Sequence, residues 1–391
     1  MKKTLLTLLS DQVVPSALFI SSLAEVGDDV FVVTTQKMKD KGKINDLEES
    51  LGRKWKIREI VVQNEDSVSE LSSHLDTIRW IEYDTAFIDL TLGTKIMSLA
   101  VHSYFRRFDE LYTRPRVSFF YQPAGKNCIK RIDADDAVDP RLLSLDEYLS
   151  ACGITAINRQ EACIAAAETT SAIMLEYPER WGTAGKLFRK LRNARKPKLS
   201  SDKSISLREG EMPQIVLQDS AEWSPTAEEL HLMQDFCSAA HFDIGSITKK
   251  QIEYLSGGWL EEWFYHKALQ TMPELGREQI ALSLHIKTRA GLENELDVAL
   301  INHRNAFRYA ECKTSLESDQ SGASFLVDTL YKQAAIRRNF GLTSSPIIVT
   351  IDKIKRNNAL SRAQDLDLKI IHHDIIYDED ALKLELAACL K

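Results

Sequence analysis

Asp297, Glu311 and Lys313 are the residues whose types and spacing converge on one chemistry. In the stretch 295–313, two apolar runs flank a polar turn at 302–305, so the stretch reads as a β-hairpin. A turn centred on Arg304 puts Asp297 opposite Glu311, with Cβ atoms ~4.5–5.5 Å apart. Lys313 lies two residues further on, and strand alternation keeps it on the same face. Facing carboxylates repel each other, and a divalent cation between them removes that cost. Mg²⁺ or Mn²⁺ suits carboxylate and water oxygens while leaving room for a phosphate oxygen. The Lys313 ammonium would position the attacking water or stabilise charge developing at phosphorus. The expected chemistry is metal-dependent phosphodiester hydrolysis with Asp297 and Glu311 as metal ligands. The competing reading is a surface hairpin on which Lys313 only forms an ion pair with Glu311.

A fourth member comes from upstream. Gly257 and Gly258 precede a helix over 259–269 that carries Glu261 in its first turn, where a carboxylate also interacts well with the helix dipole. Glu262 is the neighbouring alternative, and Glu295 is a second carboxylate on the hairpin. On the following helix, Lys332 and Gln333 either orient water or phosphate or belong to an exposed face.

Around this centre the text predicts the order α-β-β-β-α-β: the helix at 259–269, strands at 279–288, 295–301 and 306–313, a helix at 325–340 and a strand at 347–351, followed by a strand at 369–373. Helical text also covers 226–240 and restarts at 249. The first third reads differently. Short, nearly continuous apolar strands at 3–9, 30–34, 56–62 and 85–90 alternate with helices at 14–26, 68–80 and from Gly93. That alternation predicts a parallel sheet covered on both faces, hence a Rossmann-like domain, with an appended hairpin over 116–132. Ligands of such sheets bind beyond the carboxyl ends of the strands. Those ends carry Ser10, Asp11 and Gln12, then Thr34 and Thr35, then Thr91, Gly93, Thr94 and Lys95 at a helix N-terminus that would favour a phosphate. Taken alone, a Thr-x-Gly-Thr-Lys turn is more often an ordinary helix cap. No dinucleotide fingerprint competes, and Gly182-Thr-Ala-Gly-Lys-Leu187 lacks the features of a P-loop.

Between the two regions the chain is helical and then basic, with Lys186, Arg189, Lys190, Arg192, Arg195, Lys196 and Lys198 in one run and a joint expected at 200–210. It reads as a solvated linker helix or a nucleic-acid contact. The expected domains are therefore 1–140, a helical and basic linker over 141–215, and 216–391. A chain of 391 residues accommodates two such domains. Its formal charge of -7 excludes electrostatic coating of nucleic acid, so any such substrate must meet a local basic site. The six cysteines are scattered, without zinc or disulfide spacing. Asp11, Gln12 and Pro15 interrupt the apolar start where a secretory signal would be continuous. No run has the length of a membrane span, so a cytoplasmic location is expected.

Gly257-Gly-Trp-Leu-Glu261, Asn294-Glu-Leu-Asp-Val298 and Glu311-Cys-Lys-Thr314 resemble the motifs of the PD-(D/E)xK nuclease superfamily, in the form fused to a CARF domain in type III CRISPR ancillary nucleases. Leu330-Tyr-Lys-Gln333 and Arg337-Arg-Asn-Phe-Gly341 suit that family's second helix, although Leu342 stands where a second glycine is usual. Leu9-Ser-Asp-Gln12 with Pro15, the segment from Leu90 to Met97, and Tyr121-Gln-Pro-Ala-Gly-Lys-Asn127 are similar to a CARF sensor, with Leu92 in place of the usual glycine. The resemblance implies an α/β protein in which a Rossmann-like CARF domain is joined by a helical linker to a restriction-endonuclease-like domain. It further implies a homodimer that binds a cyclic oligoadenylate, cyclic tetra-adenylate by preference, and then cleaves single-stranded RNA or DNA in antiviral defence. The alternatives are a constitutive restriction- or repair-type DNA nuclease and a ligand-gated regulator with an inactive nuclease fold.

Overall fold

The computed structural model describes residues 2–134, 136–195, 225–244, 247–316, 325–354 and 357–391. In the first part of the chain, runs such as Lys3–Leu8 bury five of six residues in succession, which requires cover on both faces. The strands β1 (Lys3–Leu8), β2 (Asp29–Thr35), β3 (Ile57–Val62), β4 (Thr85–Asp89) and β5 (Arg116–Tyr121) are parallel, and β6 (Ile129–Arg131) and β7 (Asp136–Val138) extend the sheet antiparallel. The order β3-β2-β1-β4-β5-β6-β7 reverses direction between β1 and β4, which opens a crevice at their carboxyl ends. Helices α1 (Val14–Leu23), α2 (Gln36–Asp40), α3 (Lys43–Ser50), α4 (Val68–Asp76) and α5 (Lys95–Leu111) connect the strands. One face packs Leu6, Leu8, Phe31 and Val33 against Trp80 and Phe105. The other packs Leu5, Val30 and Val32 against Phe19 and Ile20.

The second sheet has the order β13-β12-β11-β10-β9-β8. Its members are β8 (Ile154–Gln160), β9 (Ile280–Thr288), β10 (Glu293–Ile301), β11 (Phe307–Lys313), β12 (Ser345–Thr350) and β13 (Lys369–Ile371). The helices around it are α6 (Leu145–Ala151), α7 (Ala167–Glu176), α8 (Gly182–Arg195), α9 (Ala227–Ala239), α10 (Lys249–Glu253), α11 (Trp259–Thr271), α12 (Phe325–Arg337), α13 (Asn357–Asp365), α14 (His373–Ile376) and α15 (Glu379–Leu390). The α-β-β-β-α-β order read from the sequence is present as α11-β9-β10-β11-α12-β12. Among the described residues no helix is long and apolar enough to cross a membrane.

The segment expected to be a free connector is built into this second domain. β8 is an edge strand paired with β9, and Ile173, Met174, Trp181, Leu187, Phe188 and Leu191 share one core with Phe236, Trp259 and Trp263. Two features hid this. β8 buries only Ile154 and leaves even Ile157 exposed, so it lacks the buried alternation of an inner strand, and the surrounding basic residues masked the apolar stripe of α8. The Lys196 and Lys198 part of the basic run and the joint at 200–210 lie outside the described residues.

The β10–β11 turn also joins the domains. Asn305 adopts a left-handed backbone (φ 54°), a conformation that asparagine tolerates. Its amide nitrogen donates to Asn127 Oδ1 at 3.1 Å and to the Arg141 carbonyl at 3.1 Å, and its Oδ1 accepts from the Leu143 N–H at 2.9 Å. Asn305→Ala removes all three bonds and strains the turn, so a loss of about 2–4 kcal/mol is expected in urea unfolding. Asn305→Gly should recover only the part due to the backbone.

Candidate active site

The β10–β11 register runs from Ile301↔Phe307 to Val298↔Ala310, and one further step along it faces Asp297 with Glu311. At that step the ladder gives way to a side chain: Asp297 Oδ2 accepts the Cys312 N–H at 2.6 Å. The turn is closed by Asn302, whose Oδ1 accepts from the Arg304 and Ala306 N–H groups, each at 3.0 Å. Both carboxylates are buried, at 7% and 5% exposure, so solvent does little to screen them.

Three donors converge on Glu311. Lys313 Nζ lies 2.9 Å from Oε1 and Lys332 Nζ 3.4 Å from the same oxygen, while Gln333 Nε2 donates to Oε2 at 2.9 Å. Lys313 Nζ is also 3.9 Å from Asp297 Oδ2, so the ammonium spans both acids. The reading of Gln333 as an exposed helix residue is corrected here, because it is 1% exposed and holds Glu311 in place. Its partner Glu311, on the preceding strand β11, could not be found from helical spacing alone.

Glu261 comes from the first turn of α11, which follows a wide turn at Tyr254–Gly258. It lines a cleft of about 590 Å³ together with Glu295, Lys313, Gly257 and Gly258. Glu262 lines the same cleft, but its carboxylate is differently engaged. Glu262 is buried, and it accepts from the Ile164 and Ala165 N–H groups and from Gln160 Nε2, a structural role. Glu295 also lines the cleft but is engaged by Ser283 Oγ at 2.6 Å. Ser283 itself has a left-handed backbone (φ 48°) inside β9, opposite the Asp297 position. Nothing in its sequence context signals that strain, which is of a kind that gathers at functional sites.

The electrostatics follow from burial. Burial pushes Asp297 up to about 7 against the pull of Lys313, and Glu311 adds to the rise. Burial and the neighbouring Asp297 likewise hold the Glu261 carboxyl well above its usual range. Burial opposes the charge on Lys313, but Asp297 and Glu311 outweigh it and hold the ammonium above its ordinary value. Among the described residues no three His, Cys, Asp or Glu side chains form a ready-made metal cage. The donor set is instead two facing carboxylates with a third nearby, of which Asp297 and Glu261 are made reluctant to ionise by burial. That chemistry fits a hard divalent cation whose remaining ligands are water.

A model of the Card1 CARF domain matches residues 4–148, and a model of the Card1-like endonuclease domain matches residues 248–383. The chain belongs to the Card1-type CARF nucleases. Two solved structures share its whole-chain architecture. Protein VC1899 from Vibrio cholerae is 16% identical with a TM-score of 0.74, the match covering 99% of this chain and 98% of that one. Can2 from Sulfobacillus thermosulfidooxidans, solved with cyclic tetra-adenylate, is 18% identical with a TM-score of 0.67, covering 100% and 99%. No curated protein is significantly similar in sequence.

In the CARF domain the structure brings the predicted loops to one sheet edge, after β1, β2 and β4. It also assigns several of their side chains to local work. Thr35 caps α2 through the Met38 N–H, Thr94 caps α5 through the Met97 N–H, and Thr34 is buried. Asp11 pairs with Lys41 at 2.6 Å. Gly93 (φ 82°) passes so close to Leu8 that a Cβ would lie 3.0 Å from its Cδ1. Ser10 and Gln12 are part-buried, and Lys95 is exposed. Beneath them, Asp89 accepts from Thr7 Oγ1 at 2.8 Å and from the Thr91 N–H at 3.0 Å, and Thr91 Oγ1 accepts from the Gln122 N–H at 2.9 Å. Sequence reading missed Asp89, the residue that fixes this loop.

Full burial pushes Asp89 up to about 6, so the folded protein binds its proton more tightly than the unfolded chain does. Stability should therefore be lost as pH rises from about 4 to about 6, by about 3 kcal/mol, and then level off. Asp89→Asn, which mimics the protonated form, should flatten that part of a Tm-against-pH curve. At the nuclease site, Asp297→Asn removes a buried like charge. The variant should melt no lower than wild type without metal and should lose any rise in Tm that Mn²⁺ gives the wild type.

Proposed function

We propose that this protein is a metal-dependent nuclease of antiviral defence, active in the cytoplasm as a homodimer and switched on when cyclic tetra-adenylate binds its paired CARF domains. The observation that carries the hydrolytic half is the single hairpin register that faces Asp297 with Glu311 and lays Lys313 across both. Asp297 and Glu311 would hold Mg²⁺ or Mn²⁺, with Glu261 assisting. The cation would supply a polarised water and a clamp on the phosphate oxygen. Lys313 holds the nucleophile in line and offsets charge at phosphorus. Gln333 and Lys332 fix the Glu311 carboxylate, so it presents one orientation. Single-stranded RNA, DNA or both are the proposed substrates. The oligoadenylate half draws support from the CARF match and from the Can2 structure with that ligand. The cysteines, all free, suit a reducing compartment.

The gating has a physical route. Arg289, at the tip of the β9–β10 hairpin, donates to the Lys41 carbonyl and pairs with buried Asp46 of α3. A Cβ at Gly42 would collide with its guanidinium, so glycine there lets the arginine through. Lys41 in turn holds Asp11 of the first ligand-edge loop. In the same loop Gln12 rests against Gly341, at the end of the segment that follows α12. The loop expected to meet ligand is thus linked through Lys41 and Arg289 to the turn leading into β10, which bears Asp297, and through Gly341 to the segment after α12, which holds Glu311.

Purified protein with Mn²⁺ should cut labelled single strands only when cyclic tetra-adenylate is present. Cutting without it would discard the gating, and the absence of cutting in both conditions would discard the nuclease. Alanine at Asp297, Glu311 or Lys313 should abolish cutting with ligand affinity intact. Arg289→Ala should still bind cyclic tetra-adenylate while the ratio of activated to basal rate falls at least about fivefold.

A further inference from the structure

We propose that one face of α8, together with the exposed ring of Phe325, forms the track that seats a single-stranded polynucleotide across the nuclease centre. This rests on the functional reading above and names residues that would position its substrate. A chain with a formal charge of -7 must meet a polynucleotide at a local basic site. α8 buries Leu187, Phe188 and Leu191 in the core. Lys186, Arg189 and Arg192 recur every third residue on another face of that helix. Arg189 and Arg192 line the cleft that holds Glu261 and Lys313, and Lys250 of α10 joins them.

A second hollow of about 180 Å³ continues from the first, lined by Lys186, Arg189 and Tyr177. The two share Arg189, Thr314 and Ser315, so the cations lie along one groove. Arg189 Nη1 donates to Thr314 Oγ1 at 3.2 Å, which ties the helix to the residue after Lys313. Arg192 has no hydrogen bond or ion pair among the described residues, although it sits at the cleft wall. Six residues of helix span about 9 Å, roughly the length of two to three stacked nucleotides at ~3.4 Å each.

Glu253, Glu261, Glu262 and Glu295 share the cleft with these cations. Glu262 is held by two backbone N–H groups and Gln160, Glu295 by Ser283, and Asp352, in the second hollow, by the Leu316 N–H at 2.5 Å, so among the described residues none of these three is ion-paired to a cation of α8. Phe325 lines the same cleft from the start of α12 and is 44% exposed, so its ring serves no core. An aromatic face among cations offers a base a stacking partner without reading its identity, and only an unpaired base can reach it.

The test is binding of a fluorescein-labelled single-stranded oligonucleotide to the non-cutting Glu311→Gln protein, with cyclic tetra-adenylate present, across a salt series. Adding Arg192→Gln should lower the affinity and reduce the slope of log K against log salt by about 0.7. Arg192→Lys should restore both. Phe325→Ala should weaken binding on the order of tenfold with the slope unchanged, and Phe325→Trp should rescue it. In the cutting protein the same substitutions should raise KM with kcat held. Unchanged affinity and slope in Arg192→Gln, or an absence of single-strand binding in the parent protein, would overturn the track. Binding that behaves as described by a protein that never cuts would leave the track standing and remove the nuclease reading instead.

Discussion

Two carboxylates held opposite each other in a dry sheet are the constraint around which the endonuclease domain is arranged. Asp297 and Glu311 face across one register of β10 and β11, where like charges destabilise a sheet. Each local feature of the site answers that repulsion. Lys313 lies between the acids, the Cys312 N–H is given to Asp297 instead of to the ladder, and Lys332 and Gln333 reach Glu311 from α12. Burial, with Glu311 adding to it, pushes Asp297 up to about 7 against the pull of Lys313, so the site stores unfavourable charge that a divalent cation would relieve.

That arrangement explains why so much of the chain is committed to rigid support. Trp259 and Trp263 of α11 are fully buried in the core that also takes in α7 and α8. Glu261 is presented to the cleft because its neighbour Glu262 is anchored to the loop after β8. The strand β8 and the helix α8 therefore belong to the catalytic body, and the basic residues on α8 are set beside the acids at fixed distance. Arg189 is the joint between them, through Thr314.

The domain boundary is polar and specific where the cores are apolar. Asn127, Arg141 and Leu143 grip the Asn305 turn, while Asp46 and Lys41 grip Arg289 at the opposite end of β10. The strand that bears Asp297 is thus clamped at both ends by the CARF side. Polar contacts of this kind are broken and remade at less cost than a packed apolar interface.

Local sequence pattern was sufficient for whatever depends on neighbours in the chain. The apolar runs of β1, β2 and β4, the α-β-β-β-α-β order and the hairpin centre at Arg304 are local, and periodicity together with turn chemistry specified them. With the centre known, the pairing of Asp297 with Glu311 followed from strand geometry. Contacts between distant segments were beyond that reach. That Glu262 is held by the backbone at 164–165 depended on a distant loop, and whether Gln333 is buried depended on Glu311 lying beneath α12. The basic stretch read as a connector because charge is visible in a sequence, whereas the core that receives Leu187, Phe188 and Leu191 takes in distant residues such as Phe236, Trp259 and Trp263. Asp89 was invisible for the same reason: its partner Thr7 lies on another strand, and only the parallel sheet brings the two together.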